Sequence, residues 1–453
     1  MIFIISLLFL CLFGFLLVLT IDGQNKYSFF EKIILSFPLG SAALTQIMLL
    51  AALLGVNFNI RIINSIFGIL IFFMLIYSCK RKRKLNVKIK NCASKSIISW
   101  LIFSIIIFQI FFVASEAAIR PVYSFDAMDN WAIKAKSFFN EKSVNLDKTN
   151  QYFMGGPSSK ANYPLHIPFL AAWFYLNQGE AKDNLVNLIP AFYYISLLGL
   201  IYINLKKYIS QRKALIFTFF LSTAPLLAYH GFNFYADLPL SFYLTAAIIY
   251  LYNYLRRDYA SDLLLGMLAC GLMIFIKNNG IFYALIILAI FIFELWRLKK
   301  IIDKKSFALS ILGFFTCALP WIIYVLVNRL GFTTINDTTL KPGNFHPEII
   351  KLFFMNLWFT YDFLIWFALL IFFIFLFIKT TRKVLKSKKL FIITTFFALL
   401  LFHLSFLLFT DLYVYILDGS LDGRLTLIVF PLSIFVAGIF YEKSTRPDFA
   451  TID

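Results

Sequence analysis

Apolar runs as long as a lipid bilayer is thick recur from one end of this chain to the other, beginning with Met1 to Thr20. A helix needs about 20 such residues to cross the hydrocarbon core. No water is present there to satisfy backbone N–H and C=O groups, so an open spanning segment must be helical. The chain is 61% hydrophobic and 14% charged over 453 residues, whereas soluble domains are about a quarter charged. These features predict an all-α polytopic membrane protein with about thirteen transmembrane helices. The expected spans are 1–21, 33–54, 60–78, 97–115, 185–205, 214–230, 238–255, 263–276, 281–296, 306–328, 354–378, 390–410 and 425–440.

Lys and Arg number 42 against 23 Asp and Glu, a formal charge of +19. In a soluble chain this excess would suggest nucleic acid. Here it collects between alternate apolar runs: at Lys80 to Lys84, Lys206 to Lys213, Arg256 and Arg257, Arg297 to Lys305, Arg382 to Lys389, and Lys443 with Arg446. The positive-inside rule makes that side cytoplasmic and puts the N-terminus outside. Pro164 to Leu176 is apolar but too short to span, and counting it as a span would invert every later basic loop. It is expected to be an interfacial or re-entrant helix within one long outer loop, 116–184. The organisation read from this is N-terminal helices and a basic cytoplasmic loop over 1–96, a catalytic transmembrane domain over 97–440, and a cytoplasmic tail over 441–453. Cys11, Cys79, Cys92, Cys270 and Cys317 form no CxxC motif and read as free thiols. The first run lacks a basic leader and a small-residue cleavage site, so it is expected to be retained.

The outer side then holds the candidate chemistry. Asp126 and Asp129, three residues apart, share one face of a helix. Trp131, Ala135, Phe138 and Phe139 form a stripe suited to a helix lying on the membrane surface. An alternative role for Asp126 is a simple helix cap. Asp237 precedes Leu238-Pro239 at the start of a span, Lys277-Asn278-Asn279-Gly280 makes an outer turn, and Arg424 follows Asp422 at the last span. Each has an ordinary boundary role available: a cap, a snorkelling Lys, an interfacial Arg. Together they put carboxylates able to take a proton and cations able to hold a phosphate on one face. His166, His230 and His346 match no metal spacing, and no phosphate-cradling glycine loop or Gly-x-Ser-x-Gly elbow is present.

In this order the motifs resemble the GT-C superfamily of membrane glycosyltransferases, in its protein O-mannosyltransferase and lipid A aminoarabinose transferase branch. Arg120-Pro121 to Asp126 resembles the family's first outer loop with its acidic residue, and Tyr163-Pro164-Leu165 its tyrosine–proline segment. Asp237-Leu238-Pro239-Leu240, Lys277 to Gly280, Leu319-Pro320-Trp321 and Arg424-Leu425 with Pro431 resemble later motifs. Where the family often has adjacent Asp-Glu, Asp126 is followed here by Ala127, so the choice between Asp126 and Asp129 stays open.

The resemblance implies inverting transfer of a sugar from a polyprenyl-phosphate donor to a hydroxyl of a glycan, lipid or protein acceptor. The expected setting is the periplasmic or extracellular face of a bacterial cytoplasmic membrane. Asp126 or Asp129 would be the base, Lys277 and Arg424 the phosphate ligands, and Asp237, Arg120, Tyr163, Asn279 and Asp422 supporting residues. No cofactor is demanded by the sequence, and a divalent metal stays open because some relatives use one. Membrane lipids are expected partners and nucleic acid is not. The rival classes are an O-antigen-type polymerase or ligase, and a flippase or transporter of lipid-linked sugars.

Overall fold

The computed structural model describes residues 1–81, 96–157, 159–331, 345–359, 387–410, 414–417 and 422–441. The helices in chain order are α1 (Ile2–Ile21), α2 (Phe29–Leu53), α3 (Ile60–Lys80), α4 (Ile97–Ile119), α5 (Ile133–Glu141), α6 (His166–Gln178), α7 (Asp183–Val186), α8 (Leu188–Leu205), α9 (Gln211–Ser222), α10 (Pro225–Gly231), α11 (Asp237–Arg257), α12 (Ala260–Ile276), α13 (Gly280–Arg297), α14 (Lys304–Val327), α15 (Glu348–Phe359), α16 (Leu390–Phe409), α17 (Val414–Leu417) and α18 (Asp422–Phe440). A π-helical turn, Ala127–Ala132, runs directly into α5. Among the described residues there is no strand. The chain is an integral membrane protein, all-α as its apolar runs require.

Among the described residues ten helices are long and apolar enough to cross a membrane, or eleven with α9 and α10 taken as one bent span. The thirteen expected are not all found. The 214–230 run is broken by 71°, because Pro225 starts α10 and the residue before a proline is steered away from helical geometry; Ala224 is extended. α12 has only 17 residues, since Lys277 turns to extended backbone at its end. Most of the 354–378 run lies outside the described residues.

α11 is the axis of the bundle, buried along its whole length and packed by α8, α12, α13 and α18. Its ends define two faces. Arg257, at one end, pairs with buried Asp262 at 3.0 Å, beside the pair of buried Glu31 with Lys207 at 2.6 Å. Asp237 opens the other end, which also carries the segment 120–165. α3 and α4 lie at the periphery, exposing Phe72, Phe73, Phe108 and Phe111, as lipid-facing helices do.

The segment after α4 narrows one expectation and corrects another. Of the interfacial and re-entrant alternatives for α6, its packing fits the second: His166 to Tyr175 are buried, and the helix packs among α1, α2, α5 and α12. The His166 ring is held there by Thr45 at 2.7 Å and Tyr193 at 2.8 Å. The Trp131, Ala135 and Phe138 stripe likewise faces protein. All three are buried, and Phe138 packs on Phe169 of α6 with ring centroids 5.5 Å apart. A helical apolar stripe is equally suited to lipid or to another helix, and here α6 supplies the second surface.

We expect cysteine labelling to place positions near Arg83 and Lys386 on the cytoplasmic side and positions near Asn150 and Asp418 outside, following the alternation of basic loops. Labelling of Asn150 and Arg83 positions by the same impermeant reagent from one side would sink this orientation.

Candidate active site

Asp126 begins the π-helical turn but does not cap it; no backbone N–H bonds to its side chain there. Its Oδ2 instead accepts from Arg424 Nη1 at 2.5 Å, and its Oδ1 from Asn130 Nδ2 at 3.3 Å. Such π-turns are rare and concentrate at functional sites. This one brings Asp126 and Asn130 onto the side facing Arg424 of α18.

Arg424 joins this carboxylate to the start of α11. Its Nη2 and Nε donate to Asp237 Oδ2 at 2.9 and 3.3 Å, and its guanidinium lies 5.2 Å from the centre of the Tyr235 ring. Asp237 Oδ1 accepts from Lys277 Nζ at 2.7 Å. Lys277 reaches it because α12 stops there, and Gly280 allows α13 to start against the Met273 carbonyl, where a Cβ would come within 2.0 Å. Burial pulls the Lys277 ammonium below its ordinary pKa, with Asp237 opposing that shift. The result is a row, Asp126–Arg424–Asp237–Lys277, of two carboxylates and two cations (two minus two, no net charge). It is sealed at Asp237, whose side chain is 1% exposed, and open at Asp126 and Arg424, each 25% exposed.

Tyr163 stands beside the row. Its ring lies 5.5 Å from that of Trp131, and burial raises its hydroxyl pKa, with Lys160, Asp126 and Arg424 all within electrostatic reach. Asp129 is half-buried and, among the described residues, has neither a hydrogen-bond nor an ion-pair partner. Asn279 is exposed in the turn after Lys277 and does not join the row. Arg120 is not brought in either: it pairs with Glu116 one turn back and sits 5.3 Å over the Phe232 ring. The Asp422 side chain lies outside the described residues. Asn130, Lys134, Lys160 and Tyr235 were not singled out from the sequence. Only Asn130 carried a signal, one turn beyond Asp126.

Among the described residues no three His, Cys, Asp or Glu side chains converge as a ligand set. Asp126 and Asp237 are committed to cations, so these residues do not fit a divalent ion, and no step is routed through one.

Residues 162–324 match the family described as dolichyl-phosphate-mannose-protein mannosyltransferase. That stretch includes Tyr163, Asp237 and Lys277. The particular likeness is to ArnT from Cupriavidus metallidurans bound to undecaprenyl phosphate, at 14% identity and TM-score 0.53, covering 76% of this chain and 60% of that one. The apo state of the same protein aligns at 15% identity and TM-score 0.49, covering 76% and 59%. The chain thus spans less than two thirds of the ArnT length. No curated protein sequence matches it.

Proposed function

We propose that the protein transfers a sugar from a polyprenyl-phosphate donor to an acceptor hydroxyl, with inversion, on the outer face of the cytoplasmic membrane. The observation that carries this reading is the half-open row itself: a carboxylate and a guanidinium at the mouth, backed by buried Asp237 and its partner Lys277. The donor class is supported by the undecaprenyl phosphate bound in the structurally similar ArnT.

In this mechanism the donor phosphate competes with Asp126 for the Arg424 guanidinium, which presents several donors in a planar fork. Its capture frees Asp126 to accept a proton. The acceptor oxygen attacks the anomeric carbon, its proton passes to Asp126, and the bond from that carbon to the phosphate oxygen breaks. Its electron pair leaves with the polyprenyl phosphate. The transition state is oxocarbenium-like, and Arg424 and Lys277 offset the charge growing on the leaving oxygen. Asp129, which has no competing cation among the described residues, is the alternative base.

The test is release of undecaprenyl phosphate by purified protein from a panel of undecaprenyl-phosphate sugars. Arg424→Ala and Lys277→Ala should each lower turnover or donor affinity at least tenfold, since a charge-assisted contact is worth about 1.5–3 kcal/mol. Full activity in both variants removes these cations from the site. Movement of intact donor across vesicles without turnover would favour the flippase class instead.

A further inference from the structure

Lys134 is an unusual residue to find in the outer segment. Its side chain is 0% exposed, and among the described residues no carboxylate pairs with it. Burial alone pulls its ammonium down to about 7. A buried amine persists where its hydrogen bonds have a use, because desolvating it is costly. Here Nζ donates to two backbone carbonyls of one turn, those of Lys160 at 2.5 Å and Tyr163 at 3.5 Å. One helical turn earlier, Asn130 holds the same turn from its other side: Oδ1 accepts from the Lys160 N–H at 3.1 Å. Its Nδ2 is the group that restrains Asp126. Gly155 covers the lysine from above. A Cβ there would come within 2.8 Å of Lys134 Cγ, and its φ of +98° favours glycine.

We propose that Lys134 is a positioning residue: with Asn130 it clamps the Lys160–Tyr163 turn onto the helix that carries Asp126, and so fixes both Tyr163 and Asp126 beside Arg424. Without the clamp the Lys160 amide leaves Asn130. The Asn130 side chain is then free to rotate, and Asp126 loses its second restraint. The role in transfer rests on the function proposed above; the clamp does not.

The experiment compares wild type with Lys134→Met, which keeps the stem and removes the donors. Three readings are taken: hydrogen–deuterium exchange in peptides covering 159–163, binding of undecaprenyl phosphate, and kcat with KM on any donor the wild type uses. The clamp predicts faster exchange in that turn with the spans still protected. It also predicts kcat lowered at least tenfold, and undecaprenyl phosphate affinity within about threefold of wild type, because Lys277 and Arg424 are untouched. Unchanged exchange, or unchanged kcat, overturns it, as does a loss that falls wholly on KM. If Lys134→Met does not fold, Gly155→Ala presses a Cβ onto the Lys134 stem without altering charge, and the same readings decide. A wild type inactive on every donor overturns the transferase reading; the clamp is then judged on exchange alone.

Discussion

Asp126→Asn should stop transfer while leaving the protein folded and its grip on the donor phosphate intact. The amide oxygen can still accept from Arg424 and the side-chain shape is kept, so the π-turn has no reason to move; only the long 3.3 Å contact from Asn130 is given up, because the amide NH2 cannot accept it. What is lost is the site that accepts the acceptor's proton, a contribution of roughly a hundredfold to ten-thousandfold in rate. The charge change has its own consequence. Wild type balances Arg424 and Lys277 against Asp126 and Asp237; the variant leaves one cation uncompensated. Undecaprenyl phosphate should therefore bind at least as tightly as to wild type. Asp129→Asn is the companion variant. Among the described residues Asp129 has no partner to lose, so its replacement should cost little stability, and any fall in rate reports chemistry. Turnover is measured beside the melting temperature. An active Asp126→Asn together with a stable but dead Asp129→Asn moves the role of base to Asp129; normal turnover in both ends the carboxylate mechanism.

The spans and the shared face of Asp126, Asp237, Lys277 and Arg424 were legible because hydropathy and loop charge act along the chain, one residue at a time. Their pairing was not. Arg424 lies 298 positions from Asp126 and 187 from Asp237, and nothing local tells an interfacial arginine from one that bridges two carboxylates. The nearby acids Asp418 and Asp422 have side chains outside the described residues, and the partners the fold does place on Arg424 are distant ones. The surface helix was misplaced for a related reason. A stripe at helical spacing fixes which side of α5 is apolar, not what covers it, and α6 was too short to register as a second buried surface. Lys134 carried no signal at all. A lysine four residues before an apolar pair reads as solvated, and only the fold of residues 153–163 over it removes the water.

Asp237 should be the residue this site can least spare for stability. It is fully buried, and its two oxygens are shared between Lys277 and Arg424. Removing one member of a buried ion pair leaves an uncompensated charge at a cost of about 3–5 kcal/mol, and here the loss leaves two cations facing one another. Asp237→Ala is therefore expected to melt well below wild type in detergent, and Asp237→Asn to fall between them, because the amide oxygen still accepts from one of the two cations. The same reasoning predicts a rescue. A ligand that binds only the folded state raises its stability in proportion to the logarithm of its concentration over Kd. With Asp237 gone, the phosphate of undecaprenyl phosphate meets a Lys277 without its carboxylate and an Arg424 held by Asp126 alone. Added undecaprenyl phosphate should then raise the melting temperature of Asp237→Ala more than that of wild type, and high salt should shrink the difference by screening. A variant that melts with wild type would show that the row is not a stabilising network. One that is destabilised yet gains nothing from undecaprenyl phosphate would show that Lys277 and Arg424 serve the fold and not a phosphate.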